Sequence, residues 1–177
     1  AGTDTELRNE ASVIIDVAPG NLRLASDGAS GQFFHNTFNG GTSVTKRGIG
    51  RYEMDDRIEF RNGNSVLIEA GTASLTGPGA SDPGPYQVDN GVLEFNLRSG
   101  QQRSIAGAVT GGGSLLKLGQ GDVLLQGTFG AEGAAVQDGR LLFQQAGMVT
   151  LTHLLVSGNG TLGGPANLQA QRLNWEG

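Results

Sequence analysis

Cysteine is absent from all 177 residues, which removes disulfide staples, thiolate-bound zinc and thiol catalysis together. Charge is sparse: 16% of the residues are Asp, Glu, Lys or Arg, against about 25% in an ordinary domain. The balance is acidic, with a formal net charge of −5. A phosphate backbone demands clustered cations, so this balance opposes a nucleic-acid partner. No apolar run approaches the ~20 residues that cross a bilayer as a helix, so no membrane insertion is expected of this segment. No basic-then-apolar signal region opens the chain, and Ala1 reads as an internal start. Apolar residues at alternating three-and-four spacing are missing too, so helices should be nearly absent. Prolines number only five; with so few charges, the composition argues against a solvated disordered chain.

Glycine is what the chain has in abundance, 31 of 177 residues, more than twice the usual ~7%. Glycines set between short apolar runs predict many short strands with many corners. The densest example runs from Gly111 to Gly127, GGGSLLKLGQGDVLLQG. Every second residue there is glycine or apolar except Lys117, and a period of two is the signature of extended backbone. Two strands joined by a tight glycine corner follow, with Leu115, Val123 and Leu125 facing inward. Lys117 shares the inward parity. An unpaired charge cannot stay in a dry core, so the strand is expected to end near Lys117 and its ammonium to reach solvent.

The same frame occurs earlier as Val44-x-Lys46-x-Gly48-x-Gly50-x-Tyr52-x-Met54, offset by 71 residues (46 to 117). Residues 89–95 resemble 137–143 at an offset of 48, and residues 109–115 resemble 156–162 at 47. Fixed offsets are what stacked supersecondary units leave in a sequence. All three offsets sit near two or three times ~24, a length that suits one solenoid coil, which predicts seven or eight coils at ~4.8 Å each. One coil buries little and leaves backbone groups unpaired above and below. Stacking pairs those groups and joins the apolar faces into one column.

The spacing G-x-G-x-L-x-K-x-G-x-G-x-L-x-L-x-G, with Val123 in place of one Leu, resembles the passenger-associated β-strand repeat of bacterial autotransporters and related large surface proteins. The text downstream, Val136-Gln137-Asp138-Gly139-Arg140-Leu141 and then Val156 to Gly164, is similar to the tail of such units. The match covers residues 111–164. It implies an all-β chain wound as a right-handed single-stranded parallel β-helix, on a bacterial cell surface or secreted. It names no ligand and implies no cofactor. Leu173-Asn174-Trp175 falls in mid-unit, so residues 1–177 read as one β-helix segment cut from something longer.

One stretch breaks the rhythm. Gly77 to Asp89 holds Pro78, Pro83 and Pro85, and proline cannot donate to a ladder. A loop leaving the coil is expected there. Binding residues gather on loops held by a rigid scaffold, so Pro78, Asp82, Pro83, Pro85 and Tyr86 form the candidate recognition loop.

The enzymatic candidate is the acid group Glu53, Asp55, Asp56 and Glu59. Polysaccharide-acting β-helix enzymes use paired acids, or acids holding calcium beside a base, along one outer wall. Yet Lys46, Arg47, Arg51, Arg57 and Arg61 share this stretch and nearly balance it, as on a plain mixed-charge surface. His35 and His153 are the only imidazoles; three-His zinc is impossible, and each reads as a strand residue. Gly158-x-Gly160-x-x-Gly163 matches a dinucleotide fingerprint in form only, because Gly164-Pro165 follows where that motif needs a helix. Neither a metal nor a catalytic group is assigned. The expected role is therefore a non-enzymatic stalk or adhesin part that meets a glycan or protein on a host or neighbouring cell, or self-associates. The alternatives are a polysaccharide lyase or hydrolase using the acids at 53–59, and a module that supports secretion.

Overall fold

The computed structural model describes residues 5–8, 12–25, 32–36 and 43–176. No helix occurs among them. The chain runs through β1 (Thr5–Arg8), β2 (Ser12–Asp16), β3 (Asn21–Leu24), β4 (Gln32–Asn36), β5 (Ser43–Arg47), β6 (Arg51–Met54), β7 (Ile58–Asn62) and β8 (Ser65–Leu75). It continues through β9 (Gly79–Asp82), β10 (Tyr86–Asn96), β11 (Gln102–Ile105), β12 (Val109–Leu118), β13 (Asp122–Leu125), β14 (Phe129–Phe143), β15 (Met148–Gly163) and β16 (Asn167–Glu176). Every pairing between them is parallel. Parallel neighbours one lap apart make a β-solenoid of about seven turns, roughly 34 Å tall at ~4.8 Å per lap.

Three walls enclose the core. Wall A stacks β2 on β5 and then the opening residues of β8, β10, β12 and β14. Wall B carries β3, β6 and the later residues of β8, β10 and β12, continuing through β14, β15 and β16. Wall C holds β1, β4 and β7, and above them β9, β11, β13 and the ends of β14 and β15. Alternation sends every second side chain inward, so equivalent positions line up as columns. On wall B, Tyr52, Ala73, Leu93, Leu115, Ala134 and Leu154 form one such column, all buried. On wall C, Ile105, Leu125 and Phe143 form another, and Phe143 meets Phe129 of wall A edge-on at 5.3 Å. Leu115, Val123 and Leu125 face inward as their parity requires.

Glycine turns the corners. Gly71 has φ of +70°, and a Cβ there would lie 2.4 Å from the Gly50 carbonyl oxygen of the lap below. Gly139 repeats this, with φ of +67° and the Gly121 carbonyl oxygen at 2.4 Å. Left-handed backbone and the close approach of another lap both exclude a side chain. The turn is tight enough that β8 and β10 pass through a corner with the ladder between them nearly unbroken.

Lap length differs from the expected ~24. The paired residues Val44, Val66, Tyr86, Val109 and Phe129 mark laps of 22, 20, 23 and 20 residues (44 to 66, 66 to 86, 86 to 109, 109 to 129). The reason lies in the offsets. Lys46 is the penultimate residue of a wall A strand and pairs with Ile68, whereas Lys117 is the penultimate residue of a strand on wall B and pairs with Phe95 and Val136. Seventy-one residues are therefore three laps plus one wall. The offset of 48 relates Leu93 on wall B to Leu141 on wall C, two laps plus one wall. Strand and corner recur about every third of a lap, and the sequence repeats by wall.

Lys117 also corrects its expectation. Its side chain is 0% exposed. The ammonium does not reach solvent; it donates to the carbonyl oxygens of Leu118 at 2.6 Å, Gly119 at 2.5 Å and Asp138 at 3.1 Å. The corner and the next lap supply acceptors for all three protons.

The stretch Gly77 to Asp89 is not an excursion. It is a strand of wall C, a corner, and the start of β10 on wall A. Pro78, Pro83 and Pro85 are exposed, while Asp82 and Tyr86 are fully buried. The prolines sit outside the strands themselves, where a missing N–H costs no ladder bond. Asp82 and Tyr86 thus cannot meet a partner at the surface.

Candidate functional site

Among the described residues, wall C has no backbone ladder between β7 and β9; its three lowest strands form a separate sheet. Side chains bridge the gap. Asn62 N–H donates to Asp82 Oδ1 at 3.0 Å, and the Arg103 guanidinium donates to the Phe60 carbonyl at 2.6 Å. Arg103 Nε also binds Asp82 Oδ2 at 2.7 Å, which accepts the Tyr86 hydroxyl at 2.8 Å. The guanidinium lies 5.7 Å from the Phe60 ring centre and 5.8 Å from that of Phe95, within cation–π reach. Gly79 makes this possible: a Cβ there would fall 2.8 Å from Arg103 Cζ. Burial alone would lower the Arg103 pKa, but the Asp82 carboxylate more than offsets it and the group is raised. Tyr86 is raised well above its ordinary value, by burial first and by Asp82 second. A closed pair with every partner in place and no route to solvent is a structural bond. The parity of Asp82 and Arg103 gave no sign of it, since neither acquires a meaning until the laps stack.

The acids at 53–59 lie on walls B and C with cations interleaved. Glu53 faces Arg23 at 3.3 Å and Arg51 at 3.5 Å. Glu59 pairs with Arg61 at 2.9 Å, and Asp56 pairs with Arg98 from two laps above. Asp55 is buried and accepts from Arg23 at 2.7 Å and from the Arg57 N–H at 3.0 Å. Burial would raise the Asp55 carboxyl; the Arg57 N–H, a hydrogen bond with Asp56 and the neighbouring guanidiniums hold it below its ordinary value. A general acid needs the opposite shift. Beside this group Arg51 grips Glu94 through two contacts of 2.6 Å, and the Ser74 hydroxyl donates to the same carboxylate at 2.8 Å. The acids and cations interleave as the sequence reading has it, but none of the four acids is fully exposed and Asp55 is buried. Among the described residues no group of three or more His, Asp or Glu is placed to hold a metal ion.

The two histidines are not brought together in any described contact. His35 pairs through its backbone with Arg8 and Arg61, and its side chain lies outside the described residues. His153 is exposed on wall B, with Nε2 4.0 Å from Glu132 Oε1.

His153 borders an open cleft on the outer side of wall B. The outward column there reads Ser114, Gly133, His153, Arg172, and the next reads Leu116, Ala135, Leu155, Asn174. Gly133 and Ala135 are the smallest members of their columns. The wall is therefore notched at their lap, and the cleft has a volume of 260 Å³. Nothing in the spacing marks it, because a glycine facing outward looks in sequence like a glycine at a corner. No protein family, curated protein or solved structure matches this chain.

Proposed function

We propose that the chain is a non-enzymatic wall: a stalk or adhesin part of an autotransporter-type passenger, on a bacterial surface or secreted. It presents its lateral walls to a glycan or protein of another cell. The observation that carries this reading is the pairing of the acids. Glu53, Asp55, Asp56 and Glu59 are each matched to an arginine, so the group that would supply hydrolysis or elimination is neutralised member by member. The resemblance over residues 111–164 and the solenoid itself support the same reading.

Purified chain coupled to beads tests it, in two assays run together. One scores bead adhesion to a glycan array and to cells, and bead clumping. The other scores release of reducing ends or unsaturated products from a polysaccharide panel. Adhesion or clumping without product release is expected. Product release that disappears in Glu53→Gln or Glu59→Gln would establish the lyase or hydrolase instead.

A further inference from the structure

Cations are nearly all engaged among the described side chains. Among the described side chains, Arg23, Arg47, Arg51, Arg61, Arg98, Arg103 and Arg140 each pair with a carboxylate. Arg57 has a partner as well, and Lys46 and Lys117 are bonded to carbonyls. Arg172 is the exception: no ion pair or hydrogen bond engages its guanidinium among the described residues. It stands on the rim of the 260 Å³ cleft, one lap above His153 and two residues before Asn174.

We propose that this cleft binds the acidic sugar unit of a glycan, a uronate-type ring whose carboxylate is held by Arg172. The inference rests on the adhesive reading above and names its ligand class. A guanidinium fork matches a carboxylate with two parallel bonds. Ala135 and Leu155 give the lining apolar surface against which a ring can lie. Around it stand donors and acceptors in mixture: the Ser114 hydroxyl, the His153 imidazole and the Asn174 amide. Arg172 is the one Lys or Arg in this lining, which holds no Asp or Glu. One anionic group plus several hydroxyls satisfies this rim; a phosphate dianion would carry two charges to a lining with one guanidinium. The cleft opens on the outer wall, so a polymer can pass through it with one residue seated.

The test uses the whole chain with glucuronate oligosaccharides and their carboxyl-reduced, neutral counterparts, followed by NMR and calorimetry. The acidic oligosaccharide is expected to shift the Arg172 Nε, His153 ring and Asn174 amide signals, and Arg172→Gln to weaken binding roughly ten- to a hundredfold. Asp122→Asn, on another wall, serves as a control and is expected to leave affinity unchanged. Equal binding of the neutral sugar, undiminished binding by Arg172→Gln, or shifts confined to another wall would overturn the site. Adhesion that persists in Arg172→Gln would sink this site and leave the adhesive reading standing. Absence of adhesion by the unaltered chain would sink both.

Discussion

Lys46 and Lys117 lie on different walls, three laps and one wall apart, and make the same contact. Lys46 Nζ donates to the carbonyls of Arg47 at 2.5 Å, Gly48 at 2.7 Å and Ala70 at 3.2 Å. Lys117 repeats the set with Leu118, Gly119 and Asp138. In each, two acceptors come from the following corner and one from the next lap. This explains why lysine stands two residues before the corner glycine in both copies. Arg47 and Leu118 also accept backbone N–H bonds from the lap below, from Val17 at 3.1 Å and Leu97 at 3.3 Å, and a buried ammonium can donate to three such carbonyls at once.

That contact has a pH signature. Burial lowers the Lys117 pKa to about 8, against 10.5 in the unfolded chain. Between those values the unfolded state binds more protons, so stability rises with pH. Lys46 is lowered by burial too and acts in the same sense. Tyr52 works against them: burial raises its phenol to about 12 from 10.0. Above pH 10 the unfolded phenol ionises first and stability falls. Urea midpoints are expected to climb from pH 8 and peak at roughly pH 10. Lys117→Met should flatten the climb; an unchanged profile in that variant would refute the assignment.

Arg103→Met leaves the Asp82 carboxylate buried without its cation and the Phe60 carbonyl without the guanidinium that donates to it. A loss of about 3–5 kcal/mol is expected, measured by equilibrium unfolding. Adding Asp82→Asn should recover part of it, since the stranded charge goes. A single-variant loss below about 1 kcal/mol would show that the gap in wall C closes by other means.

Two glycines with positive φ separate conformational strain from collision. Gly100 has φ of +78° and open space where a Cβ would go; Gly100→Ala should cost about 1–2 kcal/mol. Gly71→Ala adds contact with the carbonyl oxygens of Gly50 and Gly48, at 2.4 and 2.6 Å, and must push two laps apart. Its cost should clearly exceed that of Gly100→Ala in the same urea titration. Equal costs would mean the corner yields freely.

Glu94→Gln removes one charge from the clasp with Arg51 and Ser74 while keeping its shape. Bonds to charged groups contribute about 1.5–3 kcal/mol, and Glu94 is buried while Arg51 is partly exposed. A loss of about 1–2 kcal/mol is expected, with the melting temperature as readout. No change would place this pair with ordinary surface bridges.

Much of the fold is written locally. Alternation around Leu115, Val123 and Leu125, glycine at the corners and the absence of helical spacing dictate short strands. Fixed offsets then dictate stacking. The lap length is not written there, because three walls with the same strand-and-corner pattern give a sequence no mark for where a full turn ends. Nor is the placement of Pro78 to Tyr86: prolines forbid a ladder N–H, but a corner needs none, so the same residues fit a loop or a flush wall.

Residue order is enough to make this chain extended, cornered and stacked, since those properties follow from side-chain parity and backbone freedom at each position. What becomes of the charges is settled only in three dimensions. Lys117, Asp82 and Arg103 can be buried because acceptors and counter-charges arrive from neighbouring strands. Arg172 stays unpaired among the described residues because its column neighbours on the laps below, His153 and beyond it Gly133, offer no carboxylate. Whether a charge is satisfied depends on residues about a lap away in sequence, and only the stacking of laps brings them within a hydrogen bond.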